Sequence, residues 1–439
     1  MIRRDFIRNA SLTGAGIVLS SYAGSGLIYG APSNRVRVAL VGTKSRGLAV
    51  GQNFAKTPNV DIAVICDVDT EIAAKTVEEI FKITGKKPKV EKDIRKVVAM
   101  KDIDAVMIAT PDHWHAPMAI MAANAKKHVY VEKPCCHNPN EGELLIKAAA
   151  KNGVLMMMGN QRRSFPGVNQ MIKDIRGGII GTPYYAKAWY SNKRPALTLK
   201  DGVVPANLDW ELWQGPAPRK PFKDGYVHYN WHWFWHWGTG EASNNATHEL
   251  DVARWALGVD YPSKVASLGG RYHFNDDWET PDTQSISFDF GKKGLIEWEG
   301  RSCNSFRYYD AGRGVIIFGD KGTIVYPGGD AYKVFDLDNE KLIKEVKEGQ
   351  VLDLTNTISA TAGLDHLHVQ NFVDAVLGKA KINSPIEEGY KSTLMTHLGN
   401  ISYRTGKTLI CDAATGRPND PEAMKLWSRE YEKGWEPIV

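Results

Sequence analysis

Cysteine is scarce: five thiols in 439 residues (Cys66, Cys135, Cys136, Cys303 and Cys411), an odd number with no C-x-x-C spacing. That pattern supplies neither a disulfide framework nor a zinc-ligand set, and the adjacent pair Cys135-Cys136 is poorly placed to bridge itself. No metal site is expected. A basic block is lacking too: Lys+Arg 55 against Asp+Glu 50 leaves a net charge of +5 spread along the chain, which gives no footprint for nucleic acid. There is no run of about 20 strongly apolar residues, so no membrane-spanning helix is expected. Repeats and low-complexity tracts are missing as well. What remains is an ordinary globular composition, 43% hydrophobic and 24% charged, long enough for two or three domains.

Residues 1–31 read as an address. Ile2-Arg3-Arg4-Asp5-Phe6-Ile7-Arg8 is a twin-arginine pattern, followed from Ala10 to about Tyr29 by a weakly apolar stretch diluted by Ser11, Thr13, Ser20, Ser21 and Ser25. The expectation is a twin-arginine signal cleaved near Gly30-Ala31, hence the twin-arginine export machinery as a partner and a periplasmic location. A basic amphipathic tail is the alternative. Export by this route carries folded cargo, which suits a chain that takes up a cofactor before crossing.

From Val36 the pattern changes. Apolar runs at Val36–Val41, Val60–Cys66, Ala105–Thr110, Val129–Val131 and Val154–Met158 alternate with helical spacing over Gly47–Lys56, Thr70–Ile83, His115–Lys126 and Pro139–Lys151. Near-continuous apolar strands alternating with helices predict a parallel sheet covered on both faces, so 36–158 reads as a doubly wound Rossmann-type α/β domain. After Gly159 the alternation stops. A loop rich in Pro, Trp and Asn (Asn192–Gly238) leads to a helix at Thr247–Leu257. Strand-like segments follow at Lys264–Phe274, Thr283–Phe290, Gly294–Gly300, Gly314–Gly319 and Gly322–Tyr326. Strands punctuated by glycine turns predict an α+β second domain over 159–439 with an open antiparallel sheet. Its late helices, about Asp365–Leu377 and Glu387–Thr405, are expected to return toward the first domain.

Gly42-Thr43-Lys44-Ser45-Arg46-Gly47 joins the first strand to the first helix, where a pyrophosphate meets backbone N–H groups at a helix N-terminus. The G-x-G-x-x-G fingerprint keeps its first and third glycines, while Lys44 stands at the second; an ordinary strand–turn–helix remains open. Asp67, ending the second strand twenty residues after Gly47, is placed to bind an adenosine ribose and to repel a 2′-phosphate, so NAD is preferred over NADP. Thr110-Pro111-Asp112-His113-Trp114-His115 and Glu132-Lys133-Pro134 end two further strands. Ligands of open α/β sheets bind beyond strand carboxyl ends, so these segments point at the crevice of Gly42. For His113 and His115 a helix cap or a core histidine is the alternative; for Lys133 it is a solvated surface lysine.

The order G-x-x-x-x-G, ribose acid, A-T-P-x-x-x-H and E-K-P resembles the glucose-fructose oxidoreductase / inositol dehydrogenase (Gfo/Idh/MocA) family. The resemblance implies a Rossmann domain plus a C-terminal α/β domain, a bound NAD and, commonly, a homo-oligomer. It implies cofactor contacts from Gly42, Thr43, Lys44, Ser45, Arg46, Gly47, Asp67, Thr110, Pro111, His115, Glu132 and Lys133. Lys133 takes the place of the lysine near the nicotinamide and the substrate hydroxyl. The family's D-x-x-x-H element falls on Asn244-Asn245-Ala246-Thr247-His248, where His248 keeps the proton-transfer role and Asn244 replaces the carboxylate. Spacing of four puts Asn244 and His248 on one helical face if the helix begins that early. Glu241, Glu249 and Asp251 are then candidates to supply the missing charge.

Two further segments are candidate substrate contacts. Arg162 and Arg163 follow the last Rossmann strand, where they serve either substrate hydroxyls or an interdomain ion pair. In His228-Tyr229-Asn230-Trp231-His232-Trp233-Phe234-Trp235-His236-Trp237, the residues His232, Trp235 and His236 suit a carbohydrate, with core or subunit packing as the alternative. The reading is an NAD-dependent enzyme acting on a hydroxyl of a sugar, glycoside or cyclitol, with His248 as base and Lys133 on the reacting oxygen. A redox-assisted glycosidase working through a keto intermediate and a non-catalytic sugar-binding or sensing protein are its alternatives.

Overall fold

The first apolar run, Val36–Val41, forms β1, and a computed structural model describes residues 34–349 and 362–439 around it. The twin-arginine segment lies outside the described residues. β1 is followed by α1 (Arg46–Lys56), β2 (Val60–Cys66), α2 (Thr70–Thr84), β3 (Lys89–Glu91), α3 (Ile94–Val98), β4 (Ala105–Ile108), α4 (Asp112–Asn124), β5 (His128–Val131), α5 (Pro139–Asn152) and β6 (Met156–Met158). All neighbouring pairs are parallel, in the order β3-β2-β1-β4-β5-β6. The order reverses between β1 and β4, which opens a crevice at their carboxyl ends. Local chemistry sets the helix ends. Asp69 caps α2 by accepting from Glu71 N (3.0 Å) and Ile72 N (3.1 Å), and Gly85 closes it at φ 68°. Asn138 and Pro139 open α5 in the same manner.

The second domain contributes α6 (Pro166–Arg176), β7 (Pro183–Ser191), a short pair β8 (Lys200–Asp201) and β9 (Lys223–Asp224) flanking α7 (Trp210–Gln214), then α8 (Thr247–Leu257) and β10 (Lys264–Gly270). β11 (Thr283–Asp289), β12 (Leu295–Arg301), β13 (Arg313–Gly319), β14 (Gly322–Tyr326), β15 (Tyr332–Phe335) and β16 (Leu342–Val346) follow. The chain ends with α9 (Ala362–Val376), α10 (Ile386–Thr405), β17 (Leu409–Ile410) and α11 (Pro421–Lys425). Nine strands form one open sheet, β16-β15-β14-β13-β7-β12-β11-β10-β17. It corrects the all-antiparallel expectation at one seam: β7 and β12 run parallel, Tyr185 opposite Leu295 through Ser191 opposite Arg301. The physical reason is that β7 enters the sheet long before its neighbours in sequence and sits centrally, between β13 and β12.

Ile286, Phe288, Ile296, Trp298, Val315 and Ile317 point from this sheet toward α8 and α10, and their cluster continues without a break into β4, β5 and α4 of the first domain. α9 completes the Rossmann layer. Its Val369, Phe372, Val373 and Val376 pack with Phe54 of α1 and Tyr130 of β5, so residues far beyond 158 belong to the first domain's core. Among the described residues no helix is long and apolar enough to cross a membrane.

Candidate active site

The loop from Gly42 to Gly47 is drawn tightly against β4. Gly42 has φ +72°, and a Cβ there would meet Thr110 N at 2.7 Å; a Cβ on Gly47 would meet Gly42 O at 1.8 Å. Only glycine fits both positions, and the missing side chains leave a cradle at the start of α1 with Lys44 and Ser45 exposed at its crown. Beside it, Asp67 Oδ2 accepts from Thr43 N (2.7 Å) and Thr43 Oγ1 (3.1 Å), and Oδ1 accepts from Asp69 N (3.1 Å). Burial pushes the Asp67 carboxyl up, and these three hydrogen bonds oppose it. Glycine cradle, helix N-terminus and adjacent acid together fit a dinucleotide with an unphosphorylated ribose. Thr110 and Pro111 lie where β4 ends, against the Gly42 turn.

Three expected cofactor contacts have other partners. Arg46 turns from the cradle to bridge Glu132 (2.8 Å) and Asp365 of α9, and Glu132 Oε2 also accepts from Lys133 N. Arg46 and Glu132 are therefore a buried strut holding α9 to the sheet. His115 sets Nδ1 against Pro134 O (2.6 Å) and Nε2 against Thr110 O (2.7 Å), clamping the ends of β4 and β5. The sequence could not foresee Asp365, which lies 319 residues beyond Arg46.

Lys133 reaches into the second domain. Its Nζ donates to Asn244 O and to Asn244 Oδ1 (3.2 Å), and among the described residues no carboxylate lies within ion-pair distance of it. Burial lowers the Lys133 pKa, opposed by Glu132 and Asp112 and reinforced by Arg313 and Arg46. Asn244 sits in a π-helical turn, Ala242–Ala246, that runs into α8. The wider turn breaks the i, i+4 alignment assumed from spacing. Asn244 holds Lys133 and Glu241 and forms no hydrogen bond with His248, which corrects the expected Asn244–imidazole pair. Glu241 anchors the turn. It accepts from Asn244 Nδ2 (3.3 Å), Asn245 Nδ2, Ser302 Oγ (3.0 Å) and Arg194 Nε (2.8 Å).

His248 opens α8, buried, with Nδ1 unpartnered. Burial first, then the charges of Arg162, Arg313 and Lys133, hold its pKa well below the ordinary imidazole value. Glu249 and Asp251 do not relieve it. Glu249 takes Arg162 (2.7 Å) and Arg313 (2.9 Å), and Asp251 takes Arg163 (2.8 Å). Arg162 and Arg163 are thus buried and ion-paired with acids of α8.

The aromatic segment is not a helix. It makes one 3₁₀ turn, Asn230–Trp233, and its imidazoles diverge: His228 to Asp69 (3.0 Å), His232 to Tyr229 O (2.5 Å) and His236 to Pro218 O (2.7 Å). His232 stacks on Trp231 at 3.6 Å and feels the charges of Lys133 and Arg194, so it belongs to the crevice. Trp235 lies elsewhere. Trp235 lines a cavity of about 240 Å³ with His137, Asn400, Arg404 and Arg429, whose lining includes none of Lys133, Asn244 or His248. Sequence reasoning missed Arg194, Arg313 and Tyr190. They come from β7, β13 and a loop whose convergence needs the fold.

A doubly wound sheet with a glycine cradle and a lysine–histidine crevice defines a dinucleotide-dependent oxidoreductase architecture. Residues 36–160 match the oxidoreductase family's NAD-binding Rossmann fold, and 203–409 match its C-terminal alpha/beta domain. The chain belongs to the Gfo/Idh/MocA oxidoreductase family. A glycosyl hydrolase family 109 protein of Shewanella baltica is 32% identical over 213 residues, 43% of this chain and 45% of that protein. An alpha-N-acetylgalactosaminidase of Shewanella oneidensis is 30% identical over 211 residues, with the same shares. The chain thus spans under half the length of these curated relatives. In fold it is similar to levoglucosan dehydrogenase in complex with NADH and levoglucosan, with TM-score 0.67 and 19% identity over 85% of this chain and 99% of that one.

Proposed function

We propose that this protein oxidises and reduces a ring hydroxyl of a sugar, glycoside or cyclitol, using an NAD that it keeps bound. The observation that carries the reading is the contact of Lys133, at the crevice end of β5, with Asn244 on the turn that presents His248. NAD, when bound, supplies the hydride acceptor. Gly42–Gly47 would hold its pyrophosphate and Asp67 its ribose. Lys133 donates a hydrogen bond to the reacting oxygen, and His248, kept neutral by its surroundings, receives the hydroxyl proton.

Retention is supported by a strap over the ribose end. Asn207 O accepts from Thr70 N (2.9 Å), Asp209 N donates to Val68 O (2.9 Å), Lys92 pairs with Asp209 (2.7 Å) and His228 pairs with Asp69. These contacts tie the tryptophan-rich loop across the end of β2, next to Asp67. The expected export signal fits the same reading, since a protein outside the cytoplasm meets little free NAD.

The absence of a carboxylate at Asn244, together with the names of the Shewanella relatives, favours a second reading as a redox-assisted glycosidase. There, oxidation to a ketone acidifies the neighbouring C–H, elimination expels the glycosidic oxygen, water adds, and reduction restores the alcohol. The test is stopped-flow absorbance of the bound nicotinamide on mixing with a panel of glycosides. Rapid reduction is expected for at least one member. Lys133→Ala and His248→Ala should keep cofactor and a cooperative melt while losing about 10²-fold or more in rate. Wild-type turnover by His248→Ala would remove His248 as the base.

A further inference from the structure

The cavity of about 240 Å³ that Trp235 lines is walled by polar side chains whose hydrogen bonds are incomplete. His137 lies between β5 and α5. Both of its ring nitrogens are buried, and among the described residues neither has a partner. Arg429, from the last segment of the chain, donates from Nε to Glu141 (3.1 Å) and from Nη2 to His113 O (2.7 Å), while its buried Nη1 has no acceptor among the described residues. Their neighbours in the wall are satisfied. Asn400 Nδ2 donates to Thr239 O (2.8 Å), and His397 Nε2 donates to Cys136 O (3.2 Å). Arg404 lies over the Trp235 ring at 5.0 Å and forms no hydrogen bond or ion pair among the described residues. Charge does not define a ligand here, because Glu141 answers Arg429, and Glu279, which accepts from Trp235 N (2.8 Å), is the acid that Arg404 feels.

The imidazole does define one. Burial first, then Arg429 and the neighbouring histidines His113, His397 and His236, hold the His137 pKa well below the ordinary value. The ring is therefore neutral, so one nitrogen donates and the other accepts. A carboxylate or phosphate only accepts and leaves the bare nitrogen unmatched, and a hydrocarbon leaves both unmatched. Hydroxyl groups do both, and further sugar oxygens suit the N–H groups of Arg429 and Arg404. Trp235, Ile401 and Leu426 give the same cavity an apolar wall, which the C–H face of a sugar ring covers and water does not. We infer that this cavity is a second carbohydrate site, which takes one neutral pyranose ring between His137, Arg429 and Trp235. It stands apart from the oxidoreductase reading, since none of the residues assigned to NAD or to the reacting hydroxyl lines it. Trp235 then meets a sugar away from the hydride.

The experiment titrates the cofactor-loaded protein calorimetrically with the methyl glycosides of glucose, galactose and N-acetylgalactosamine, and soaks crystals with the tightest binder. Ser428 is an exposed residue of the cavity wall, so Ser428→Trp fills the space without touching the crevice. The expected result is a glycoside site present in the wild type and missing from Ser428→Trp, with the same rate of nicotinamide reduction in both. His137→Leu should weaken that binding about tenfold or more, because it removes the hydrogen bonds of both ring nitrogens. Acetate and inorganic phosphate should not compete. Density for a sugar ring against His137 and Trp235 supports the inference. Ordered water alone at saturating glycoside, equal binding by the wild type and both variants, or displacement by acetate or phosphate would overturn it. Binding that Ser428→Trp abolishes, with no glycoside reducing the bound nicotinamide, supports this site and counts against the oxidoreductase reading alone.

Discussion

Lys133 and Asn244 are joined twice, through the amide oxygen and the main-chain carbonyl of Asn244, while His248 four residues on receives nothing from that side chain. The residue that replaces the family's carboxylate therefore acts on the lysine. Asn244→Asp should raise the proton affinity of Lys133 and move the alkaline limb of the pH–rate profile up by about one unit. The acid limb should stay in place, well below the ordinary imidazole range, because His248 is kept neutral by burial and by Arg162, Arg313 and Lys133. An acid limb that moves instead would show that Asn244 supports the imidazole.

Asp67 holds the glycine turn through Thr43 and, in the proposed reading, binds the ribose. Asp67→Ser should weaken NAD about tenfold or more and favour NADP relative to NAD, because a carboxylate repels a 2′-phosphate at close range. Titration of apoprotein with both nucleotides measures it, and equal wild-type affinity for the two would refute the assignment.

Arg46 between Glu132 and Asp365 is a buried network in which removal of the cation strands two carboxylates. Arg46→Met should cost about 3–5 kcal/mol of stability. A chemical melt of the variant checks it, and a loss below about 1 kcal/mol would return Arg46 to a role at the cofactor.

His368 and His397 are buried, and burial lowers each to about 4, against the hydrogen bonds their Nε2 atoms donate to the Met158 and Cys136 carbonyls, which raise it. The folded protein binds fewer protons than the unfolded chain between pH ~6.5 and ~4, so stability is full above that window and falls as pH drops through it. Each histidine withdraws about 3 kcal/mol at the acid end. Denaturant melts from pH 7 to 4 should show this slope, and His368→Gln should reduce it. A flat profile would contradict the burial argument.

The Rossmann half was legible because its strands are nearly continuous apolar runs: Val36–Val41 and Val60–Cys66 have the bounds read from sequence. β7 was not, since its Tyr, Lys and Trp alternate with small residues in place of a continuous apolar run, and the parallel seam with β12 depends on it. Within the site, the glycine cradle and Asp67 follow from local chemistry. The partners of Arg46, Arg162 and Arg163 do not, for each acid lies 86 or more residues further along the chain and only the tertiary fold selects it. Spacing misplaced Asn244 because a π-turn is invisible to a 3.6-residue period.

The central claim is a sugar redox reaction run on a retained nucleotide. The most direct measurement denatures the purified protein to count released nucleotide and, in parallel, incubates the native protein with glycosides in deuterated water without added NAD. The account predicts about one NAD per chain and many turnovers with no net accumulation of reduced cofactor, with deuterium entering the carbon beside the transient ketone if cleavage follows elimination. A protein that releases no nucleotide, and whose turnover depends strictly on added NAD with one NADH formed per sugar oxidised, would contradict it.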